Sequence, residues 1–179
     1  MNFIVYDLEA TCWENRGKRQ AEIIEIGALK LNEYAEVEDT FCSFVKPVVH
    51  PFLSPFCIQL TSITQVDINR AAKFYTVVEE FQDWIGIDEE EYLLCSWGNY
   101  DKTQLVKDCE FHDVYSDWAE EHINLKAQYQ QIRNLNKPFG LKKAVKVEGF
   151  EFEGTHHRGI DDAYNLAKIF GKFFDEWQY

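Results

Sequence analysis

Several common catalytic motifs are absent from this sequence of 179 residues. It contains no G-x-S-x-G elbow, no Walker phosphate loop and no glycine-rich dinucleotide fingerprint, which argues against serine hydrolases and the common nucleotide-binding folds. Paired cysteine motifs are also absent, because the five cysteines are odd in number, scattered and never in a C-x-x-C pair. We therefore expect neither a disulfide framework nor a zinc finger, and we interpret the cysteines as reduced cytoplasmic thiols.

Long hydrophobic runs are absent as well, since no apolar segment is long enough to span a bilayer. The first segment, Met1–Asp7, reaches an acid after a few apolar residues and has no basic region before them. We therefore expect no membrane span and no secretory signal, and a cytoplasmic protein. With 46% hydrophobic and 16% aromatic residues, the chain is expected to form a single domain over residues 1–179.

Basic residues are few, 18 against 31 acidic ones, and the formal net charge is −13. Proteins that bind nucleic acid through its phosphates usually carry a basic surface. Here the basic residues are concentrated, since the segment from Lys126 to Lys146 contains six of them and no acid. This segment predicts a local positive surface, although the solvated faces of two helices would give the same pattern.

The hydrophobic pattern predicts an α/β domain with a mixed sheet. A turn at Asn15-Arg16-Gly17 is expected to join the first two strands into a hairpin. The predicted strands cover residues 2–8, 22–31, 37–45, 91–97 and 123–125. The predicted helices cover residues 56–60, 63–68, 75–85, 100–109, 126–133, 139–147 and 161–177.

The first strand is apolar on both faces, as in the centre of a sheet, yet its carboxyl end carries Asp7 and Glu9. Because side chains alternate along a strand, these two carboxylates point to the same face, about 7 Å apart. Oxygen ligands at such close quarters suit a hard cation such as Mg²⁺ or Mn²⁺. Two acids that fray into solvent at a strand end would show the same spacing.

A second apolar strand also ends in polar residues, Gly98-Asn99-Tyr100-Asp101. Asn99 is the expected N-cap of the following helix, so that Asp101 lies in its first turn near the carboxyl end of the strand. Sites in α/β sheets form at that edge. An acid in a first helical turn is also common for helix-dipole reasons alone.

The last predicted helix carries an apolar stripe with one acid at its edge. Asp162 lies one turn before Leu166 and therefore borders the buried face, whereas Asp161 is expected to face water. The stripe comprises Leu166, Phe170, Phe173 and Trp177. The predicted solvent face comprises Asp161, Asn165, Lys168 and Lys172.

A histidine precedes this acid by five residues. Gly159 lies between His157 and Asp162 and is expected to let the chain turn tightly into the helix. The His157 side chain could then reach, from a loop, a site formed by the acids. Without those acids, it would be interpreted as an exposed loop histidine beside His156.

Three segments resemble the motifs of a known family: Asp-Leu-Glu-Ala-Thr-Cys (7–12), Cys-Ser-Trp-Gly-Asn-Tyr-Asp (95–101) and His-Arg-Gly-Ile-Asp-Asp (157–162). The family is the DEDDh 3′→5′ exonuclease superfamily. Within this superfamily, the residues of all three motifs are similar to those of one branch. That branch contains the histone-mRNA 3′-end exonuclease, the enhanced-RNAi exonuclease and the bacterial sporulation inhibitor KapD. Residues 57–64 also resemble a segment of that branch, with Ser62 in place of the usual glycine. Three motifs in order are a specific signal.

The resemblance implies a ribonuclease-H-like fold with five strands flanked by helices. It implies that Asp7, Glu9, Asp101 and Asp162 hold two divalent cations, Mg²⁺ or Mn²⁺, and that His157 is the general base. The implied reaction is metal-dependent hydrolysis of a strand from its 3′ end, with release of nucleoside 5′-monophosphates. The expected partner is nucleic acid with a single-stranded 3′ end, RNA being favoured over DNA.

Substrate contacts are expected from small, aromatic and basic residues near the motifs. Small residues at Ala10 and Thr11 permit close approach of the backbone to the terminal sugar. Stacking on the last base, which is tolerant of sequence, is expected from Leu60, Ile63, Trp97 and Tyr100. For Leu60 and Ile63, a position in the core is favoured over a contact with the base. The path of the phosphate backbone is expected along Lys142, Lys143 and Lys146.

Two alternatives use the same sequence features. A deoxyribonuclease or a scavenger of short oligonucleotides would share the whole metal site. A regulatory module that binds RNA or protein on an exonuclease scaffold is the other alternative. The complete set of four acids and the histidine speaks against the regulatory module, because the loss of one of them is the usual mark of such a module.

Overall fold

The computed structural model describes residues 1–15 and 17–179. Within these residues it contains a mixed sheet of six strands in the order β4-β3-β2-β1-β5-β6. The strands are β1 (Asn2–Ala10), β2 (Ile23–Leu31), β3 (Val37–Lys46), β4 (Ala72–Lys73), β5 (Tyr92–Ser96) and β6 (His122–Asn124). The first three strands form an antiparallel meander, and β5 and β6 add in parallel.

Seven α-helices of the described residues flank this sheet. They are α1 (Pro55–Thr61), α2 (Gln65–Arg70), α3 (Phe74–Ile85), α4 (Tyr100–Phe111), α5 (Leu125–Ile132), α6 (Leu141–Val147) and α7 (Gly159–Lys172). The predicted α/β class with a mixed sheet is confirmed. Within the described residues, no helix combines the length and the apolarity that crossing a membrane requires.

Strand β1 lies in the middle of the sheet because both of its faces are apolar. Ile4 and Tyr6 pack into the core on the side of α3 and α4. Phe3 and Val5 pack into the core on the side of α7. Since β1 and β5 are parallel, their carboxyl ends meet at one edge of the sheet, and the acids that follow each apolar run are brought to that edge.

The final helix is shorter than predicted, since α7 ends at Lys172 and a 3₁₀ turn covers residues 174–176. The expected apolar stripe is nevertheless buried along its whole length, Trp177 included. The indole nitrogen of Trp177 donates to the carbonyl of Phe170 at 2.8 Å. This bond folds the ring back onto the helix, so its burial does not require the helix to continue.

The predicted solvent face of α7 is partly wrong, because Asn165 is fully buried. Its amide nitrogen donates to the carbonyls of Glu153 and Asp161 at 2.7 and 2.8 Å. Its amide oxygen accepts from the backbone N–H of Glu153 at 3.0 Å. The segment before the helix therefore lies over this face, which helical periodicity alone does not reveal.

One further difference concerns a short strand. Strand β4, which the sequence did not predict, has two residues and pairs in parallel with the end of β3; it is too short to show alternation. The hairpin of β1 and β2 is confirmed. Its predicted turn at residues 15–17 includes Arg16, which lies outside the described residues.

Candidate active site

Three carboxylates converge at the carboxyl end of β1. Asp7 and Glu9 project from the strand, and Asp162 projects from the first turn of α7. One oxygen atom from each carboxylate lies within 4.8 Å of the others. Glu9 and Asp162 are 8% and 3% exposed, and Asp7 is half-buried. The structure thus brings together acids that are 155 positions apart in the sequence, from residue 7 to residue 162.

The fourth predicted acid, Asp101, lies in the first turn of α4 and is 5% exposed. Its Oδ1 accepts a hydrogen bond from the backbone N–H of Leu8 at 3.2 Å, which ties it to β1 between Asp7 and Glu9. The predicted N-cap, Asn99, occupies that position without a side-chain cap bond. Its Oδ1 accepts instead from Asn124 at 2.9 Å.

The acids raise one another's affinity for protons. Burial, followed by the charges of Asp101 and Glu9, raises the pKa of Asp7 well above its usual range. Burial, with Asp162 and Glu25, raises the pKa of Glu9 to about 9. Burial raises the pKa of Asp101 to about 6, against the lowering effect of the Leu8 N–H. A divalent cation bound by these oxygens would offset the burial and the mutual repulsion that favour the protonated carboxyl groups.

Metal-free protein is therefore expected to lose stability as pH rises between about 4.5 and about 9. The pKa of Glu9 is raised on folding from 4.5 to about 9, so the folded state keeps a proton that the unfolded state has lost. This stabilisation is complete below the unfolded pKa and is lost as pH rises through the folded pKa. Thermal melts in EDTA across this range should show a falling Tm.

The matched control for this titration is Glu9→Gln, which cannot ionise. Its Tm should fall less between pH 5 and pH 9 than the Tm of the wild type, because the other acids remain. Equal slopes for the two proteins would show that Glu9 is not the group that binds the proton.

The amino end of α7 packs against the sheet through two glycines. A Cβ atom built on Gly27 would lie 2.1 Å from the carbonyl carbon of Gly159, and one built on Gly159 would lie 2.9 Å from the carbonyl oxygen of Asp7. Gly159 therefore serves close approach and not the tight turn expected from the sequence. The left-handed conformation that such a turn needs is adopted by His157, with φ of 67°.

Both histidines of the 156–157 pair contact Asp162. The backbone N–H of His157 donates to Asp162 Oδ2 at 2.8 Å, and His156 Nδ1 lies 2.8 Å from Asp162 Oδ1. The two imidazole rings are stacked, with centroids 4.0 Å apart. His156 was not predicted as a site residue, and adjacency to His157 was its only signal in the sequence.

The His157 imidazole is suited to accept a proton near neutral pH. Burial lowers its pKa below 6.5, the charge of His156 acts in the same direction, and Asp162 opposes them. A histidine with a lowered pKa is neutral at pH 7 and has a free lone pair. This state is the one that a general base requires.

A cavity of about 330 Å³ opens above the acids. It contains all five predicted catalytic residues together with two of the predicted stacking residues. The lining consists of Asp7, Leu8, Glu9, Trp97, Tyr100, Asp101, Gly140, Leu141, His156, His157 and Asp162.

Two predicted stacking residues form one wall of this cavity. The Trp97 indole nitrogen donates to the carbonyl of Phe139 at 3.0 Å, and its ring packs at 5.4 Å from the ring of Tyr129. Tyr100 is 50% exposed. Trp97 is therefore fixed in place, whereas Tyr100 offers accessible ring surface.

The other two stacking residues differ from each other. Ile63 is 0% exposed and packs with Ile24 and Cys57, so the predicted contact with a base is wrong and the core interpretation is correct. Leu60 is half-buried on α1. The apolar pattern did not separate them, because each was an apolar position of a predicted short helix, residues 56–60 and 63–68. In the structure Ile63 lies between α1 and α2.

Ala10 and Thr11 are buried at the end of β1, 6% and 3% exposed, and do not line the cavity. The Thr11 hydroxyl accepts from the backbone N–H of Glu22 at 2.9 Å, so it stabilises the hairpin. Their backbone approach to a terminal sugar remains a prediction.

The predicted positive surface is smaller than the sequence indicated. Lys142, Lys143 and Lys146 lie on the exposed side of α6, and the Lys143 ammonium lies 3.7 Å from the ring centroid of Phe139. Arg133, in contrast, pairs with Glu148 at 3.1 Å. Glu148 lies two residues after Lys146, outside the acid-free segment, so counting charges within that segment missed its effect.

Comparison with known proteins gives matches over almost the whole chain. The family model described as Exonuclease matches residues 4–170. The human protein "3'-5' exoribonuclease 1" is 33% identical over 92% of this chain and 50% of that protein. "ERI1 exoribonuclease 2" of Xenopus laevis is 32% identical over 93% of this chain and 27% of that protein. The chain thus spans half or less of the length of these relatives.

A solved structure is similar to this one throughout. It is the nuclease domain of 3'hExo, described as a DEDDh family member bound to rAMP. The TM-score is 0.90 with 31% identity, and the match covers 97% of this chain and 92% of that one. The ribonuclease-H-like fold implied by the three motifs is confirmed by this similarity.

Proposed function

This chain belongs to the exonuclease family, among its DEDDh members, and from that premise we propose that it is a metal-dependent 3′→5′ exonuclease acting on single-stranded RNA. The observation that carries the proposal is the convergence of Asp7, Glu9 and Asp162 within 4.8 Å beside a histidine whose pKa is lowered. The products are nucleoside 5′-monophosphates. We also propose that residues 1–179 form one exonuclease domain that acts in the cytoplasm.

The residues present fit a pair of divalent cations, Mg²⁺ or Mn²⁺. The donors are carboxylate oxygens, which such hard cations prefer. Burial and the charges of the neighbouring acids raise the pKa values of Asp7 and Glu9, and a bound cation would offset both effects. Asp7, Glu9, Asp101 and Asp162 would hold the cations. Bound cations of this kind lower the pKa of a water molecule and stabilise charge on the leaving 3′-oxygen.

The remaining residues would bind and orient the strand. His157 would take the proton of the attacking water through its imidazole, which is neutral at pH 7. Tyr100 and Trp97 would pack against the terminal base, with Leu60 on the side of α1. A wall of apolar and aromatic groups around a free 3′ end favours removal of terminal nucleotides over internal cleavage.

RNA is favoured over DNA because the relatives named above carry exoribonuclease names and the similar solved structure holds rAMP. The test is kcat/KM for single-stranded RNA and DNA oligomers of one sequence in Mg²⁺. The proposal requires the RNA value to be the larger. Equal or larger values for DNA would establish the deoxyribonuclease or scavenger alternative.

Millimolar Mg²⁺ or Mn²⁺ is expected to raise the Tm of the wild-type protein. The cations would bind the folded cluster of acids and not the unfolded chain, and saturation at 100 times Kd would add about 2.7 kcal/mol. Differential scanning fluorimetry measures the shift. Asp7→Asn/Asp162→Asn is the control, and a shift of equal size in this variant would place the cation elsewhere.

Replacing Lys142, Lys143 and Lys146 by Gln is expected to weaken RNA binding and flatten its salt dependence. Each phosphate contact to a single strand contributes about 0.7 to the slope of log K against log salt. Fluorescence anisotropy in EDTA measures binding without cleavage. The control is Lys73→Gln/Lys107→Gln, since these exposed lysines lie on β4 and α4. If the control variant lost as much RNA affinity per lysine removed as the α6 variant, a specific path of the phosphate backbone along α6 would be contradicted.

A further inference from the structure

The most deeply buried ion pair of the described residues joins Glu25 and Arg158, and neither of them belongs to the four acids of the proposed site. Glu25 of β2 is paired directly opposite Glu9 of β1 and is 0% exposed. An unpaired carboxylate at that depth would be strongly destabilising, so Glu25 needs partners that compensate its charge.

Apart from the Cys42 thiol of β3, whose Sγ lies 3.7 Å from Glu25 Oε1, the hydrogen bonds to the Glu25 carboxylate come from the loop and helix that carry His157. Arg158 donates from its Nη2 to Glu25 Oε1 at 2.8 Å and from its Nε to Oε2 at 3.2 Å. The backbone N–H of Gly159 donates to Glu25 Oε2 at 2.8 Å. Arg158 is the N-cap residue of α7 and Gly159 is its first residue. Glu25 thus caps α7 from the neighbouring strand, where the helix dipole also favours a negative charge.

Two carboxylates therefore fix the backbone at His157 and at the residue after it. Its own N–H donates to Asp162, and the next residue, Arg158, is fixed on Glu25. His157 adopts a left-handed backbone conformation, φ 67°, which is sterically unfavourable for a non-glycine residue. Such a conformation persists only where the surroundings impose it.

From this arrangement we infer that Glu25 and Arg158 are positioning residues that hold His157 in its strained backbone conformation over the site. The inference rests on the proposed function, because the role of His157 does. Neither residue lines the cavity, so the pair acts through the loop and not on the substrate. Its loss should lower kcat and leave KM and RNA binding nearly unchanged.

The test compares Arg158→Gln, Arg158→Lys and Glu25→Gln with a matched control, Glu148→Gln. Glu148 is also a buried carboxylate near α7, paired with Arg133 and Lys172, but it is remote from His157 in its contacts. The readouts are kcat, KM, Tm and hydrogen exchange of the His157 amide. The Arg158 variants keep the experiment interpretable if Glu25→Gln does not fold, since the Arg158 side chain is 26% exposed.

We expect kcat to fall by about 10–100-fold in Arg158→Gln, as for other residues that orient a functional group. Partial rescue is expected in Arg158→Lys, together with faster amide exchange at His157. Glu148→Gln should lower Tm without these changes. Unchanged kcat and exchange in Arg158→Gln would overturn the inference, as would equal losses in Glu148→Gln. If the wild type cuts no RNA, the proposed function fails, and the exchange measurement alone decides the inference.

Discussion

Replacing Asp7 or Asp162 by Ala is expected to abolish exonuclease turnover, with a loss of more than about 10³-fold in kcat. Removing a single group that stabilises transition-state charge commonly costs 10²–10³-fold, and each of these acids also helps to hold a cation in the proposed site. Asp162 in addition accepts from the His157 N–H. The fold should survive, since removing one buried acid relieves repulsion among those that remain. Single-turnover assays and melts in EDTA measure the two effects.

The control for this prediction is Asp161→Ala, one residue away on α7. The Asp161 carboxylate accepts from the backbone N–H of Thr155 at 2.8 Å and does not line the cavity. We expect a modest loss of Tm and near-normal turnover. An Asp161→Ala protein as inactive as Asp162→Ala would contradict the assignment of the inward-facing acid.

His157→Ala is expected to lower kcat by about 10²–10⁴-fold, the usual contribution of a general base. Affinity for a single-stranded 3′ end should stay nearly unchanged, because the imidazole is proposed to move a proton and not to hold the strand. Burial lowers its pKa below 6.5, so wild-type kcat should rise with pH in the acid range and level off by about pH 7. The variant should lose this rise.

The stacked neighbour, His156, provides the discriminating comparison. Its Nδ1 contacts Asp162 at 2.8 Å, so His156→Ala should perturb the cation site and alter the metal concentration at half-maximal activity. It should preserve the dependence of kcat on pH. Loss of that pH dependence in His156→Ala, but not in His157→Ala, would transfer the role of base to His156.

Local patterns predicted much of the fold and the principal acids. The hairpin of β1 and β2 was predictable because alternation and uninterrupted apolar runs are properties of adjacent residues. Asp7 and Glu9 stood out for the same reason, since acids are unexpected at the end of a central strand. Asp162 was placed by its spacing from Leu166 on the helix.

What the sequence did not reveal depends on contacts between distant segments. The contact of Gly27 with Gly159, and the capping of α7 by Glu25, join positions 132 to 134 apart in the chain. No local pattern records them. Asn165 was misplaced because the segment that covers it has no regular structure. For Ile63 the sequence left both a core position and a base contact open, because an apolar residue in a short segment fits either.

The most direct test follows single-stranded RNA oligomers labelled at either end, with Mg²⁺ or Mn²⁺ and with EDTA. We predict that 5′-labelled RNA shortens one nucleotide at a time, that 3′-labelled RNA releases its label as a mononucleotide from the start, and that EDTA stops both. Internal fragments as first products, or cleavage that continues in EDTA, would contradict a metal-dependent 3′→5′ exonuclease. RNA that is bound and left uncut with either cation would instead establish a binding module.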